Sequence, residues 1–552
     1  MRDTEREFFQ NGPTLGNQYD DDPVLRYYLA RILPESVLVD IEPDLRRLGE
    51  RAVTDVLHLG NAAEASPPRH IPYDAWGKRV DYIEVSDAWK ELDRISAKEK
   101  LVRIAYERRH GSFSRIHQFA RVYLFSASSA SYTCPLAMTD GAARAIELYG
   151  DETLKNSAFK RLTSSDPREF WTSGQWMTER TGGSDVSRVS TVARLEGGTY
   201  RLYGTKCFTS AATSQMAMTL ARIEGAPEGN KGLSLFYLEL RDPEGNLNNI
   251  FVHRLKDKLG TKALPTAELT LNGTSAILVG GEGDGIKKIS AILNITRLWN
   301  ACGAISLMRR GIALAENYAS KREAFGRLLT ESPLHVETLT SIEAEFRGAF
   351  SLIFRAAELL GKEETGEATA EESAILRLLT PIVKLYTAKQ AIAALGETIE
   401  CFGGAGYIED TGIPRLLRDG HVLSIWEGTT NVLSLDVLQV MQKSDALRFL
   451  FADIERRIAG INSPEVREMT PVIRNAMSRL AKSLEILSGN SSELLEMNAR
   501  SISYGLARVY AASLLLAEAE WNIEMRNDRK AFTAVKRWCA AGPWPFINTG
   551  PC

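Results

Sequence analysis

The chain has 552 residues, 44% of them hydrophobic and 25% charged, which fits three or four packed units of about 100 to 200 residues each and excludes a disordered, collagen-like or disulfide-scaffold protein. Sixty-seven Lys plus Arg against 70 Asp plus Glu leave a net charge of -3, so no global field draws the protein to nucleic acid or anionic lipid. The six cysteines, at 134, 207, 302, 401, 539 and 552, hold no CxxC pair and no ligand spacing with the histidines; no metal site is expected, and free thiols suit a reducing compartment. No apolar run reaches the roughly 18 residues of a membrane span. The opening MRDTEREFFQ carries acids where a transit peptide is acid-poor, and the closing NTGPC is neither an SKL-type address nor a C-a-a-X box. A cytoplasmic protein without a membrane partner is the expectation.

From Pro23 to Tyr149 the apolar residues recur three and four apart, as in PLAMTDGAARAIELYG (135–150), and predict an N-terminal helical domain over 1–168. Within it the Pro-rich ASPPRHIPYDAWG (65–77) reads as a surface connection. TVARLEGGTYRLYGTKCF (191–208), KGLSLFYLEL (231–240) and TAELTLNGTSAILVGG (266–281) alternate or bunch apolar residues between Gly and Asn breaks, predicting a β domain over 169–281. After GGEGDG (280–285) helical spacing returns in ISLMRRGIALAENYASKREAF (305–325), in Glu371 to Glu400 and in NVLSLDVLQVMQK (431–443), a second helical domain over 282–442. The rest, 443–552, holds further amphipathic segments, one of them (491–521) opened by a Ser-Ser-Glu capping signal. The expected fold is mainly α with a central antiparallel β domain and an additional C-terminal helical domain.

Four segments carry chemistry. WTSGQWMTERTGGSDVSRVST (171–191) contains a turn, Thr181 to Asp185, whose glycines let the backbone approach a ligand; a plain surface turn has the same composition. YGTKCFTSAATSQ (203–215) sets Phe208 beside the hydroxyls of Thr209 and Ser210, a mix suited to a flat heteroaromatic ligand, although a strand Phe also serves as core. SIWEGTTNVLSLDV (424–437) holds Glu427 between Trp426 and Gly428 at the head of a helix, the setting of a general base or of an acid favoured by the helix dipole. ETIECFGGAGYIEDTGIPRLLRD (397–419) ends a helix at Gly403 and Gly404, which capping alone explains.

Together and in this order the segments resemble the acyl-CoA dehydrogenase flavoprotein family. The shared words are Met177-Thr178-Glu179 with Gly183-Ser184-Asp185, then Gly204 to Phe208, KDKLGTKALPTAELTL (256–271), KREAFG (321–326) and WEGTTN (426–431). The Trp before Glu427, the GGSD loop and the long C-terminal extension are similar to the AidB-like branch, whose members were first linked to the response to DNA alkylation.

The resemblance implies bound FAD. Thr178 would bond the flavin near N5 and O4, Gln175 and Met177 would line it, and Phe208 with Ser210 would cover its other side. Phe208 stands where many members have Trp. Arg322 and Phe325 would meet the dinucleotide of a neighbouring subunit in a homotetramer or dimer, with Gly403 and Gly404 at its pyrophosphate. Glu400 stands there in place of a glutamine, and a carboxylate near phosphate is unfavourable unless paired or protonated. Gly183, Ser184, Thr429 and Asn431 complete the cofactor set. Ser184, Thr296, Arg297 and Gly428 would meet an acyl-CoA or related thioester, with Glu427 as the catalytic base; Arg297 is equally readable as a surface ion-pair residue. The electron acceptor would be an electron-transfer flavoprotein or, in an oxidase, oxygen. The branch also implies DNA as a partner through the C-terminal domain. From 442 onward there are 15 Lys plus Arg against 12 Asp plus Glu, an excess that solvated helix faces share.

Overall fold

The structure, a computed structural model, describes residues 10–540 apart from 243 and 490. Most of MRDTEREFFQ and all of NTGPC lie outside the described residues. Among those described, no helix is long and apolar enough to cross a membrane. The chain divides into two compact units. One gathers the stretch ending at Val53, His110–Ala127 and everything from Ala301; the second gathers Thr54–Arg109 and Ser128–Asn300.

The second unit is built on a seven-stranded sheet. Its strands are β3 (Ser173–Trp176), β4 (Val192–Glu196), β5 (Thr199–Ser210), β6 (Met216–Ile223), β7 (Leu233–Glu239), β8 (Ile250–Leu255) and β9 (Thr266–Val279). The order is β3-β6-β4-β5-β9-β7, with β8 on β9, and β7 also pairs with β6. The sheet therefore closes on itself. It is not wholly antiparallel as expected: β6 runs parallel to β3 and β4. Along β6 and β7 alternate residues divide between two cores, Ala217, Ala221, Phe236 and Leu238 with Trp176 on one face, Met216, Met218, Leu220, Leu235 and Tyr237 with Ala142, Ile146 and Ile292 on the other. Helices Thr133–Tyr149 and Gly285–Ala319 supply that second face.

Residues 65–77, expected as a connection, enter a hairpin of β1 (Arg69–Tyr73) and β2 (Arg79–Glu84). The reason is long-range. Buried Asp81 accepts from Arg79 Nε at 2.7 Å and from Val252 N at 3.0 Å, with His70 Nε2 at 2.9 Å on its other oxygen, so the hairpin is tied to β8 by a carboxylate.

The first unit is helical, with long helices at Pro333–Thr365, Ala370–Cys401 and Ser492–Arg526 and shorter ones at Thr430–Lys443 and Lys530–Ala540. Thr369 and Glu372 form a reciprocal capping box, and Ser491 accepts from Leu494 N. The C-terminal helices are joined to the core by polar as well as apolar contacts. Arg508 Nη1 donates to Glu345 Oε1 at 2.9 Å, Arg347 Nη1 to Glu518 Oε1 at 2.7 Å, and the Trp538 ring lies where a Cβ on Gly348 would stand, 2.1 Å away. The helix expected to reach Phe325 stops at Ala319. A two-residue hairpin follows, β10 (Glu323–Ala324) against β11 (Arg327–Leu328), because Phe325 and Gly326 adopt φ of 53° and 75°, the backbone such turns require.

Candidate active site

In the β unit, strand β3 delivers Gln175, Met177 and Thr178 in succession. Gln175 Oε1 is buried and meets no donor among the described residues. Met177 packs into the sheet core, and the Thr178 carbonyl accepts from Cys207 N at 2.9 Å. Glu179, the next residue, is a hub. Its carboxylate accepts from Ser190 N and Oγ, both at 2.6 Å, from the Thr191 hydroxyl, and from Lys206 Nζ at 2.7 Å. Burial opposes its ionisation, and the Lys206 ammonium with the serine and threonine donors overcomes that, leaving the carboxyl below its usual value. Both ends of the glycine turn are thereby fixed. Gly182 is required for shape, since a Cβ would approach Asp185 O to 2.6 Å, whereas Gly183 and Ser184 stay exposed on the turn.

Phe208, on strand β5, is 61% exposed at φ 57°. Ser210 Oγ shares a hydrogen bond with Thr266 Oγ1 at 3.2 Å. On the Gly285–Ala319 helix, Thr296 is buried with its hydroxyl on Leu293 O at 3.2 Å, and Arg297 is half-buried.

In the helical unit, Glu427 and Gly428 form the turn before the Thr430–Lys443 helix, at φ 56° and 104°. A Cβ at 428 would approach Leu433 Cδ2 to 2.9 Å, so only glycine gives this turn its path. Lys384, fully buried on the Ala370–Cys401 helix, donates to the Gly428 carbonyl at 2.5 Å. Glu427 is half-buried; Thr429 N-caps the helix and Asn431 is exposed on its first turn. Glu400 is exposed one turn before Gly403 and Gly404, where an added Cβ would meet nothing within 4 Å. Burial, then the charge of Glu400, raises the carboxyl of neighbouring Glu397. Arg322 is exposed with Nη1 on Gln10 Oε1 at 3.1 Å, and Phe325 projects wholly into solvent.

Among the described residues, three of the 13 non-glycine residues with positive φ are Phe208, Phe325 and Glu427, a backbone that costs on the order of 1 kcal/mol or more and collects at ligand sites. In the β unit the orphaned amide oxygen of Gln175 and the projecting Phe208 ring fit a flat heteroaromatic ligand; in the helical unit the open glycines at 403 and 404 fit a phosphate. Among the described residues no group of three His, Cys, Asp or Glu side chains could hold a metal. Sequence reasoning missed Lys384 and Lys256, whose ammonium lies 4.4 Å from the Phe208 ring centroid. The first had a signal, a lone lysine in the apolar run LLTPIVKLY.

Four family signatures match in succession: the AidB N-terminal domain over 13–166, the acyl-CoA dehydrogenase middle domain over 174–274 and C-terminal domain over 283–442, and the acyl-CoA dehydrogenase 11 C-terminal domain-like region over 445–547. Acyl-CoA dehydrogenase family member 11 of Caenorhabditis elegans is 46% identical over 97% of this chain and 89% of its own. The crystal structure of C. elegans ACDH-11 in complex with C11-CoA superposes with a TM-score of 0.94 at 44% identity, covering 97% of this chain and 93% of that one. The putative acyl-CoA dehydrogenase AidB of Escherichia coli K12 is 32% identical over 80% of this chain and 81% of its own. An acyl-CoA dehydrogenase from Bacillus anthracis, complexed with FAD, shares the fold at a TM-score of 0.73 and 18% identity, over 96% of this chain and 89% of that one. With identity sustained along nearly the whole of both chains, the protein belongs to the acyl-CoA dehydrogenase family.

Proposed function

We propose that the protein is an FAD-dependent dehydrogenase that converts a saturated acyl thioester to the 2-enoyl thioester. The observation that carries this is the Glu427-Gly428 turn, a carboxylate on left-handed backbone whose following carbonyl is held by a buried lysine, in a chain of this family. Gln175, Met177, Thr178, Phe208 and Ser210 would hold the flavin; Arg322, Phe325, Gly403 and Gly404 would hold the dinucleotide across a subunit interface of a tetramer or dimer. The cofactor, when bound, accepts the hydride that leaves Cβ. Glu427 takes the proton from Cα, so that the pair of electrons freed there forms the new double bond. The Glu427 N–H donates to the thioester carbonyl and stabilises the negative charge that develops on it. Ser184, Thr296, Arg297 and Gly428 orient the thioester. The C11-CoA in the complex of the worm relative supports CoA as carrier, and the residues leave both an electron-transfer flavoprotein and oxygen open as acceptors. The four-part division at 168, 281 and 442 goes with this reading.

Duplex DNA is the competing ligand, and several basic residues of the C-terminal extension are engaged within the chain. Arg456 pairs with Glu371, Arg457 with Asp453, Arg474 with Glu455, Arg529 with Glu465 and Arg537 with Glu337, while Arg526 and Lys536 lie over aromatic rings. The test is the FAD content of the purified protein and anaerobic bleaching of its visible spectrum by a panel of acyl-CoAs. Bleaching by one of them is expected. Protein that cannot be loaded with FAD, or a bound flavin that no acyl-CoA bleaches while duplex DNA binds with a steep salt dependence, would overturn the reading.

A further inference from the structure

Phe208 stands at a β-bulge. In the β5–β9 pairing Lys206 faces Leu269 and Thr209 faces Ala267, so Cys207 and Phe208 together oppose the single residue Glu268. Such a bulge leaves one residue unpaired and re-aims its side chain; here that residue takes φ 57° and its ring stands 61% exposed. A second irregularity lies on the other flank of β9, where the β8 register shifts between Val252 and Arg254 and sets Arg254 opposite the same Glu268. Arg254 Nη2 donates to Glu268 Oε1 at 2.8 Å, and Lys256 Nζ donates to the same oxygen. Hydrogen bonds from Arg254 and then Lys256 hold the Glu268 carboxyl down at about 2. Lys256, its side chain only 15% exposed, is also fixed through its backbone, donating to Thr266 O at 2.8 Å. Its ammonium then sits 4.4 Å from the centroid of the Phe208 ring.

A lysine serving only solubility would extend into water. Here two register shifts on either side of one strand converge on one carboxylate, which delivers a cation to a projecting aromatic ring. We propose that Lys256 is a positioning residue for the cofactor: clamped by Glu268, it fixes the Phe208 ring and draws on its π density. The inference rests on the FAD reading above. A cation against an aromatic ring is attracted by the ring quadrupole and makes the ring a poorer electron donor. Such a ring stacks better on the electron-rich reduced cofactor than on the oxidised form, so the ammonium favours reduction of whatever flavin Phe208 covers.

The experiment uses the full-length protein loaded with FAD, as wild type, Lys256→Met, Lys256→Arg and Glu268→Gln. Redox equilibration against a dye of known potential measures the preference for reduced over oxidised cofactor, and the visible spectrum reports the stacking. Lys256→Met should lower that preference by about two- to fivefold, the range of one part-exposed cation–π contact, with a shifted flavin band. Arg should restore both, and Glu268→Gln should fall between. An FAD-loaded Lys256→Met protein with wild-type potential and spectrum overturns the inference while leaving the FAD reading intact. Wild type that takes up no FAD overturns both.

Discussion

Lys206 and Lys384 are both fully buried, and each ties down a turn that carries site residues, yet they do so against different partners. Lys206 meets the Glu179 carboxylate, which also collects Ser190 and Thr191. Charge answers charge, and the whole 179–191 turn closes around one hub. Lys384 donates to a main-chain carbonyl of its turn, that of Gly428, whereas the carbonyl Lys206 reaches, Leu220 O at 3.2 Å, lies outside the turn it holds. It fixes the peptide that follows Glu427. The difference is one of anchor: the 179–191 turn is held through an acid consumed in structure, and the 427–428 turn is held through its backbone.

The largest expected effect falls on Glu427. Glu427→Gln keeps the turn's shape and removes the base, so FAD should stay bound while acyl-CoA bleaching slows by about 10² to 10⁴-fold or more; a smaller loss in stopped-flow traces would move the base elsewhere. On the consumed acid the effect should be on stability. Lys206→Met leaves Glu179 buried without its cation, at a cost of about 3–5 kcal/mol in urea unfolding. The pH dependence has a definite sign. A carboxyl held below its usual value stabilises the fold above that usual range, and the contribution disappears as pH falls through the folded value. Lys206→Met should bring Glu179 back up and remove that contribution, so the loss of stability should be largest near neutral pH and shrink as pH falls; a loss equal at every pH would assign the hub no electrostatic role.

Arg322 belongs to neither device. It is exposed, and Arg322→Ala should weaken FAD retention by about 1.5–3 kcal/mol, the worth of a charge-assisted contact to phosphate, with little change in melting temperature. Equal loss of both would make it a structural arginine. The smallest effect sharpens the comparison most. Lys384→Met strips the Gly428 carbonyl of its buried donor, which costs about 1–3 kcal/mol; kcat should fall and its pH profile shift, while KM and FAD content hold. If KM rises instead, the lysine serves binding rather than the base.

The helices were legible because their apolar residues repeat at 3.6, and β5 and β9 because Gly and Asn punctuate them. Strand β6 was not. MAMTLARI (216–223) is buried on both faces of the sheet, and a continuous apolar run carries no period to separate strand from helix. The hairpin at Arg69–Glu84 depends on Asp81 reaching Val252, 171 residues away, which no local pattern shows. The site was legible as words, since the turns at 177–185 and 426–431 need particular residues in sequence order. Its supports were not, because Lys384 and Gly428 are 44 residues apart, and Lys256 finds Phe208 only through the paired register shifts around Glu268.

The helical unit is assembled from three stretches of chain, and this sets a schedule for biosynthesis. Tyr28 donates its hydroxyl to Phe354 O, 326 residues later. At roughly 5–20 residues per second, the ribosome makes the Pro23–Ile32 helix tens of seconds before residue 354 exists. Throughout that interval Tyr28, buried in the finished protein, lacks the Phe350 and Phe354 rings it packs against. The nascent N-terminus is therefore a client for whatever shields apolar surface at the tunnel exit, and slowing translation between 54 and 300 should raise the fraction lost to aggregation.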